Sequence, residues 1–465
     1  MKLRRSVGVP VALGALAVAA AGAGATPAGP GRNGMAASVN GPRSDVAAAR
    51  VTIRVDRRRV GMGRTVRLTA SAALPGGKPA AGWLLLPYVD GRRWGAHELA
   101  DESGRAVWTL PLSRPGVATL QVEARPPDAR PPPAGARPVV APAGDMLLRL
   151  PYLVTGYTLR GVHPVSNALR VEVERRRLRT IPADPNRLVG AQWCPLYTPH
   201  WFTWDTAQAV PLVGFYRTWD PNVIRQHVIW LAESGVDFLV VDWVNQLWGC
   251  QKWEQRDERA IEIIHATNVL MENLAALREE GLPVPRVLLM LGLNNGPSNS
   301  VEALNGEMAW VYDNYVRNPR LKGLLQEYLG KPLVLVFNGG GPEWLKANVS
   351  TPVDETRFTV RYQSAQHQIC RHNEAGYWSW MDGKAGLVTL HDGAPEAMTV
   401  SVAYFDDKGW TGPTAHGRRG GRTYLEAFAP ALLTRPRFLQ IHQFRGSQAR
   451  PRPRTGGTAT ATARS

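Results

Sequence analysis

Eight short apolar runs in the C-terminal two thirds of the chain constrain its fold more than any other feature. They are Leu188 to Cys194, Asp237 to Trp243, Arg286 to Leu293, Pro332 to Asn338, Phe358 to Gln363, Tyr377 to Met381, Met398 to Tyr404 and Arg437 to Gln443. Each ends in polar or aromatic residues, and most lead into a helical pattern or a Gly/Pro loop. Between the first two, Asp220-Pro221 opens a helix with Ile224, Val228 and Leu231 on one face, and Gly235 stops it. Between the second and third, Ile264, Thr267, Met271, Leu274 and Leu277 recur at helical spacing up to Gly281. Continuous apolar strands alternating with amphipathic helices predict a parallel sheet covered by helices, and eight units predict closure into a (β/α)8 TIM barrel. An open doubly wound sheet is the alternative, but no Gly-rich dinucleotide loop follows the first strand.

At 465 residues the chain exceeds a barrel of about 250 residues, leaving room for a smaller module. Val51-Ile53-Val55, Val66-Leu68, Trp83 to Val89, Val107 to Leu112 and Leu120-Val122 alternate with period two between Gly, Pro and Asp-Gly turns. A small immunoglobulin-like β-sandwich is therefore expected over 50–125, ahead of the α/β barrel at 146–444. Gly/Ala/Pro-rich segments at 26–49 and 126–145 read as linkers. Lys2, Arg4 and Arg5 before the apolar run Val7 to Ala21, with Ala23-Gly24-Ala25 after it, have the three regions of a secretory signal. The expectation is export, to the medium, periplasm or cell surface, without stable membrane insertion.

The net charge of +17 could suggest nucleic acid or another polyanion. Its distribution argues otherwise. Arg57-Arg58-Arg59, Arg175-Arg176-Arg177 and the C-terminal arginines are separate concentrations with no aromatic-flanked basic stripe, so no nucleic-acid partner is expected. Three cysteines, Cys194, Cys250 and Cys370, are too few and too far apart for a disulfide framework. His367, Cys370 and His372 match no zinc spacing, so neither metal nor cofactor is expected. A monomer is the expected state.

Reactive groups of such a barrel project from the C-terminal strand ends. Those ends are polar and aromatic here: Trp193 and Tyr197; Asp242, Trp243 and Asn245; Asn294; Asn338; Arg361 and Gln363; Trp378, Trp380 and Asp382; Tyr404 and Asp406; His442 and Gln443. Sugar rings present apolar C–H faces that stack on aromatic rings and hydroxyls that need directional partners, so this rim suits a carbohydrate. Cleaving a glycosidic bond needs two carboxyl groups. Asp242 and Asp382 lead because each ends an apolar strand beside Trp; Asp406 is the reserve, with Glu254 a further candidate.

Pro199 to Asp205, Asp220 to Gln226, Gly235 to Trp243, Gly330 to Gly341, Tyr377 to Gly383 and Arg435 to Phe444 resemble motifs of exported bacterial proteins related to glycoside hydrolase families 71 and 99. The resemblance spans about Leu188 to Phe444 and implies a barrel acting on glycans at its strand ends. It does not carry over a catalytic pair, because mannoside-cleaving family 99 enzymes place Glu residues after a barrel strand and Leu293-Asn294-Asn295-Gly296 offers none. Similar proteins also tend to have an acid where Gln192-Trp193-Cys194 stands, and an Asn-Glu pair after the eighth strand. Here Arg445 to Ser465 contains only Arg, Gly, Ser, Gln, Ala, Pro and Thr, a composition that cannot bury a core and suggests a frameshifted or truncated tail.

The expectation is a glycoside hydrolase cleaving O-glycosidic bonds of a poly- or oligosaccharide, this copy being inactive if the tail has cost it a carboxylate. The alternatives are a non-catalytic glycan-binding protein on a degenerate barrel and an adhesion or scaffold protein acting through the sandwich.

Overall fold

The computed structural model describes residues 49–127, 163–195, 197, 211–244, 262–294, 297–338, 341–348, 350–364, 373–381, 387–404 and 413–442. The expected signal segment, both linkers' greater part and the C-terminal tail lie outside them.

The N-terminal module is a pair of sheets. One contains β1 (Arg50–Val55), β3 (Thr65–Ala73) and β7 (Arg105–Pro111), all antiparallel. The other runs β2 (Arg59–Gly61), β9 (Leu169–Glu174), β8 (Gly116–Arg125), β4 (Leu84–Val89) and β5 (Arg92–Arg93), with β6 (Glu98–Leu99) also on β4. Period-two alternation sends Val66, Leu68, Ala70, Trp108 and Leu110 into a core shared with Leu120, Val122 and Val171 of the second sheet. The strand β9 lies inside the range that sequence assigned to the barrel, yet it pairs with β8 and β2. The reason is its own pattern: Leu169, Val171 and Val173 are buried while Arg170, Glu172 and Glu174 are exposed, which suits a sheet with one wet face.

The third sheet is mixed and curls on itself. Its parallel members are β10 (Leu188–Trp193), β11 (Phe238–Asp242), β12 (Arg286–Leu293), β14 (Lys331–Asn338), β15 (Thr359–Ser364), β17 (Ala394–Ser401) and β18 (Phe438–His442). Neighbours follow chain order from β10 to β15, while β18, the last, returns to pair with both β10 and β17. Two short strands, β13 (Glu327–Tyr328) and β16 (Thr389–His391), add antiparallel edges through turns in which Leu329 and Gly330, and Asp392 and Gly393, all have positive φ. These are two-residue hairpins, and positive φ at both central positions is what such turns require.

The structure corrects two of the eight predicted runs. Tyr377 to Met381 contributes only an isolated parallel bridge, Gln363 to Trp378, because its rings pack into the interior and alongside Tyr362 instead of extending a ladder. The run expected at Met398 to Tyr404 begins earlier, at Ala394, since the Asp392-Gly393 hairpin sets its register, and it ends at Ser401.

Helices α1 (Pro221–Ser234), α2 (Glu262–Glu279), α3 (Val301–Val311), α4 (Gly341–Asn348) and α5 (Arg422–Thr434) flank the parallel strands. Asp220 caps α1 by accepting from the Asn222 amide at 2.8 Å, and Gly235 ends it at φ 74°. The sheet pair docks on α1. Arg225 donates Nε–H to the Ser113 carbonyl at 3.0 Å, and an added Cβ on Gly63 would lie 2.4 Å from Cγ2 of Ile229.

Alternation also divides the curled sheet into two faces. Phe238, Val240, Leu288, Met290, Leu335 and Phe337 share an inner cluster, whereas Leu239, Val241, Leu289 and Val336 join the helices in the outer core. This division places the site.

Candidate functional site

The upper inner face is polar. From β10 it receives Gln192, from β11 Asp242, from β15 Gln363, from β17 Thr399 and Ser401, and from β18 Gln440 and His442. The register aligns Gln192's neighbour Ala191 with Ile441, Thr399 with Gln440 and Ser401 with His442, so β10, β18 and β17 present these side chains at matching heights.

Asp242 is the last residue of β11 and is buried. Its Oδ1 accepts from the Val244 amide at 2.9 Å. Burial pushes the carboxyl up to about 6, against the smaller opposing effect of that amide. A carboxyl with that value is about half protonated at pH 6 and about one-tenth protonated at pH 7, a larger share in the proton-donating form than an ordinary carboxyl keeps.

His442 ends β18. Its Nδ1 lies 3.0 Å from the Trp380 carbonyl, which can only accept, so Nδ1 carries the proton and Nε2 presents a lone pair. Burial pulls the imidazole down to about 4, opposed by the bond to Trp380, so the ring is neutral at pH 7. The Trp380 carbonyl also accepts from Gln192 Nε2 at 3.1 Å, and its indole stands edge-on to His442 with centroids 4.4 Å apart. Gln363 donates Nε2–H to the Ser379 carbonyl at 3.1 Å and to Gln440 Oε1 at 3.2 Å.

The structure divides the single rim expected from the sequence into several layers. Trp193, Tyr197 and Trp243, expected against substrate, are packed in the outer core between sheet and helices. Trp243 is wholly buried and donates to Thr267 Oγ1 at 2.9 Å. The cause is strand period: with Asp242 inward, Trp243 is turned to the opposite face. Asn338 goes outward likewise and ties β14 to α4 by donating to the Gly341 carbonyl at 3.0 Å and to Tyr377 Oη at 3.2 Å.

Arg361 and Trp378 are inside but lower. Both bind Glu396, Arg361 through Nε at 2.9 and 3.1 Å and Trp378 through Nε1 at 2.8 Å. Asn294 is exposed at a positive-φ turn after β12. Tyr404 lies beyond β17, its hydroxyl 2.8 Å from His416 Nδ1 and its ring stacked on that imidazole. Asp382, Asp406, Asn245 and Gln443 lie outside the described residues, as do Glu254, His367, Cys370 and His372.

Gln440, Ser401, Thr399 and Glu396 were missed. Their signal was present as polar residues at alternate positions, Thr399 and Ser401 on one strand and Gln440 and His442 on the next, inside runs otherwise apolar. A separate cavity of about 310 Å³ lies where the sheet pair meets α1, lined by Asp90, Arg92, Trp94, Arg114 and Asn222 among others, and contains none of the strand-end groups. Among the described residues no group of three or more His, Cys, Asp or Glu could hold a metal ion, and no helix is long and apolar enough to cross a membrane.

No protein-family model matches the chain, and no curated protein does. Among solved structures it is similar to the glycoside hydrolase family 99 endo-α-mannosidase of Bacteroides thetaiotaomicron, at 16% identity over 57% of this chain and 86% of that one, with a TM-score of 0.40. The same enzyme in complex with BIS-TRIS-propane gives 16%, 57%, 84% and 0.39. A CARDB domain from Pyrococcus furiosus, in complex with di-metal ions, matches at 11% identity over 28% of this chain and 94% of its own, with a TM-score of 0.17. Likenesses of this extent fix no residue correspondence.

Proposed function

We propose that the chain is an exported (β/α)8-barrel glycoside hydrolase carrying an immunoglobulin-like sandwich, and that Asp242 is its general acid. The observation that carries the reading is the buried Asp242 carboxyl at the end of an inner-face strand, raised to about 6. Glycosidic cleavage needs one carboxyl that gives a proton to the leaving oxygen and a second that attacks or activates water. Asp242 has the environment for the first role. Asp382 is the proposed partner and Asp406 the reserve. The substrate is an O-linked poly- or oligosaccharide, bound by the polar inner layer and by Trp380.

The test is reducing-end release from a polysaccharide panel by the purified chain, with Asp242→Asn and Asp382→Asn beside it. Turnover lost in both variants, with unfolding curves still cooperative, supports the assignment; full activity in Asp242→Asn removes it. One observation favours a second reading, a glycan-binding protein without catalysis. Among the described residues Asp242 is the sole carboxyl on the inner face at the C-terminal strand ends. That reading predicts binding without turnover by the unsubstituted chain.

A further inference from the structure

A cleft of about 590 Å³ lies at the N-terminal ends of the strands of the curled sheet. Arg175, Arg176 and Arg177, which continue the chain beyond β9, line one part of it, and Gly281, Leu282 and Pro283, which lead into β12 at Arg286, line another. The candidate site lies at the other end of β12, eight residues on, a span of about 26 Å. In the sequence these arginines are one basic run among several. The fold makes them part of a concave site.

Their charges are unequally compensated. Arg176 is a structural member: its guanidinium donates to the Met62 carbonyl through Nε at 3.2 Å and Nη2 at 3.1 Å, and it pairs with Glu233. Arg175 donates Nη2–H to the Glu280 carbonyl at 2.7 Å, which is a neutral partner, and Arg177 is exposed. Among the described residues neither Arg175 nor Arg177 forms an ion pair. The carboxylates of this region already serve other cations. Glu280 binds Arg225 Nη1 at 2.6 Å, Glu233 holds Arg176 and stands 3.6 Å from Arg64, and Glu174 takes Arg59 at 3.3 Å. Two guanidinium groups therefore remain for a ligand, and the Glu280 carbonyl already restrains one of them, which lowers the ordering cost of binding.

The rest of the lining narrows the ligand. Met62, Leu178, Ile181 and Leu282 give apolar walls, and Thr180 adds a hydroxyl. Apolar walls with a few placed polar groups hold an organic ring better than a bare ion. No aromatic residue is among those lining the cleft, so stacked nucleic-acid bases find no platform. Guanidinium forks match a carboxylate bidentately. A sugar ring bearing a carboxylate meets these conditions together: its C–H face lies on the apolar walls, its acid group meets Arg175 or Arg177, and a hydroxyl reaches Thr180.

We propose that this cleft binds an acidic polysaccharide, a polymer of uronate rings, and docks the chain on it through Arg175 and Arg177. The site is at the opposite end of the strands from Asp242, so the proposal stands apart from the hydrolase reading.

The test places the purified full chain in native affinity gels containing polygalacturonate, with dextran, polyphosphate and single-stranded DNA in parallel gels. Salt is about 0.15 M, where charges more than about 8 Å apart are largely screened. Polygalacturonate should retard the chain more than the other three polymers do. Arg175→Gln with Arg177→Gln should weaken that binding about tenfold. Arg54→Gln with Arg67→Gln, which removes the same charge from exposed positions on β1 and β3, should leave it within about twofold. Arg175→Lys with Arg177→Lys keeps the charge, loses the fork and should fall between. If the Gln pair disturbs folding, Arg177→Gln alone, which breaks no ion pair, should weaken binding about threefold. Equal losses in the cleft and control pairs would reduce the effect to net charge and overturn the proposal. Stronger retardation by polyphosphate or DNA, or none by polygalacturonate, would also overturn it. Asp242→Asn should bind polygalacturonate as the unsubstituted chain does; binding lost there would put the polymer at the strand ends and refute a separate site. Polygalacturonate binding that depends on Arg175 and Arg177, in a chain that cleaves no glycan, removes the hydrolase reading and leaves this one.

Discussion

His442 and Trp380 hold each other in one arrangement: the imidazole Nδ1–H donates to the Trp380 carbonyl at 3.0 Å while its ring meets the indole edge-on at 4.4 Å. The bond to Trp380 supports the charged ring, but burial outweighs it and draws His442 down to about 4. An unfolded chain would protonate the same ring near pH 6.5. Between those values the unfolded state binds the extra proton, so His442 favours folding above about pH 6.5 and loses that contribution as pH falls toward 4. The full effect is on the order of 3 kcal/mol.

Asp242 acts in the opposite direction. Its folded value of about 6 stands above the unfolded carboxyl, so the folded chain binds the extra proton over the intervening range and stability falls as pH rises through it. The two slopes nearly cancel between about pH 4 and 6. In the native chain the thermal midpoint should thus vary little from these groups. Asp242→Asn should expose the histidine slope, losing stability on acidification, and His442→Phe should expose the aspartate slope. Parallel pH profiles for all three proteins, measured by circular dichroism melts, would show that neither group is perturbed as described.

At neutral pH the same substitution separates stability from activity. Asp242→Asn removes a charge that burial disfavours while keeping an oxygen for the Val244 amide. It should raise stability at pH 7 by about 1–3 kcal/mol and abolish turnover, whereas at pH 4 the stability gain should vanish. Urea unfolding at both pH values reads the difference. A destabilised variant at pH 7 would mean that the ionised carboxylate is compensated.

How much of this was legible in the chain follows from strand period. Long apolar runs located β10, β11, β12, β14 and β18 to within a residue or two, because burial on both faces leaves no polar interruption to misread. The same property hid which face each residue occupies, so Trp243 was grouped with Asp242 although adjacent strand residues point oppositely. Asp242, Gln363 and His442 were found since a polar group ending an apolar strand stands out; Gln440 and Ser401 were overlooked within theirs. The β13 and β16 hairpins were missed although Leu329-Gly330 and Asp392-Gly393 carry the turn chemistry, because alternating strands and helices set the expectation of parallel pairing throughout.

Below the candidate site, Glu396 binds both Arg361 and Trp378, and its side chain is 2% exposed. Removing it strands the guanidinium, which also stacks over Tyr328 at 5.3 Å, without a counter-charge. Glu396→Gln should cost about 3–5 kcal/mol. Combining it with Arg361→Met should restore a substantial part, because breaking a buried pair is worse than replacing it with apolar packing. Chemical denaturation of the two single variants and the double variant gives the coupling directly; additive losses would show that the pair does not act as one unit.

Gly190 and Phe238 are register partners on the two adjoining strands β10 and β11. A Cβ on Gly190 would fall 2.2 Å from two carbons of the Phe238 ring, far inside contact distance, and Phe238 is itself wedged edge-on against Phe438 at 5.9 Å. The ring cannot retreat without moving the inner layer beneath Gln192 and Gln440. Gly190→Ala should therefore destabilise by about 1–3 kcal/mol or more through overpacking, with no contribution from backbone strain since its φ is not positive. Phe238→Leu in the same chain should recover much of that loss, although alone it is destabilising. Because the collision lies below the strand ends, the double variant should also recover glycan binding in affinity gels; recovered stability without recovered binding would mean that the height of the inner floor, set by this pair, is part of the site.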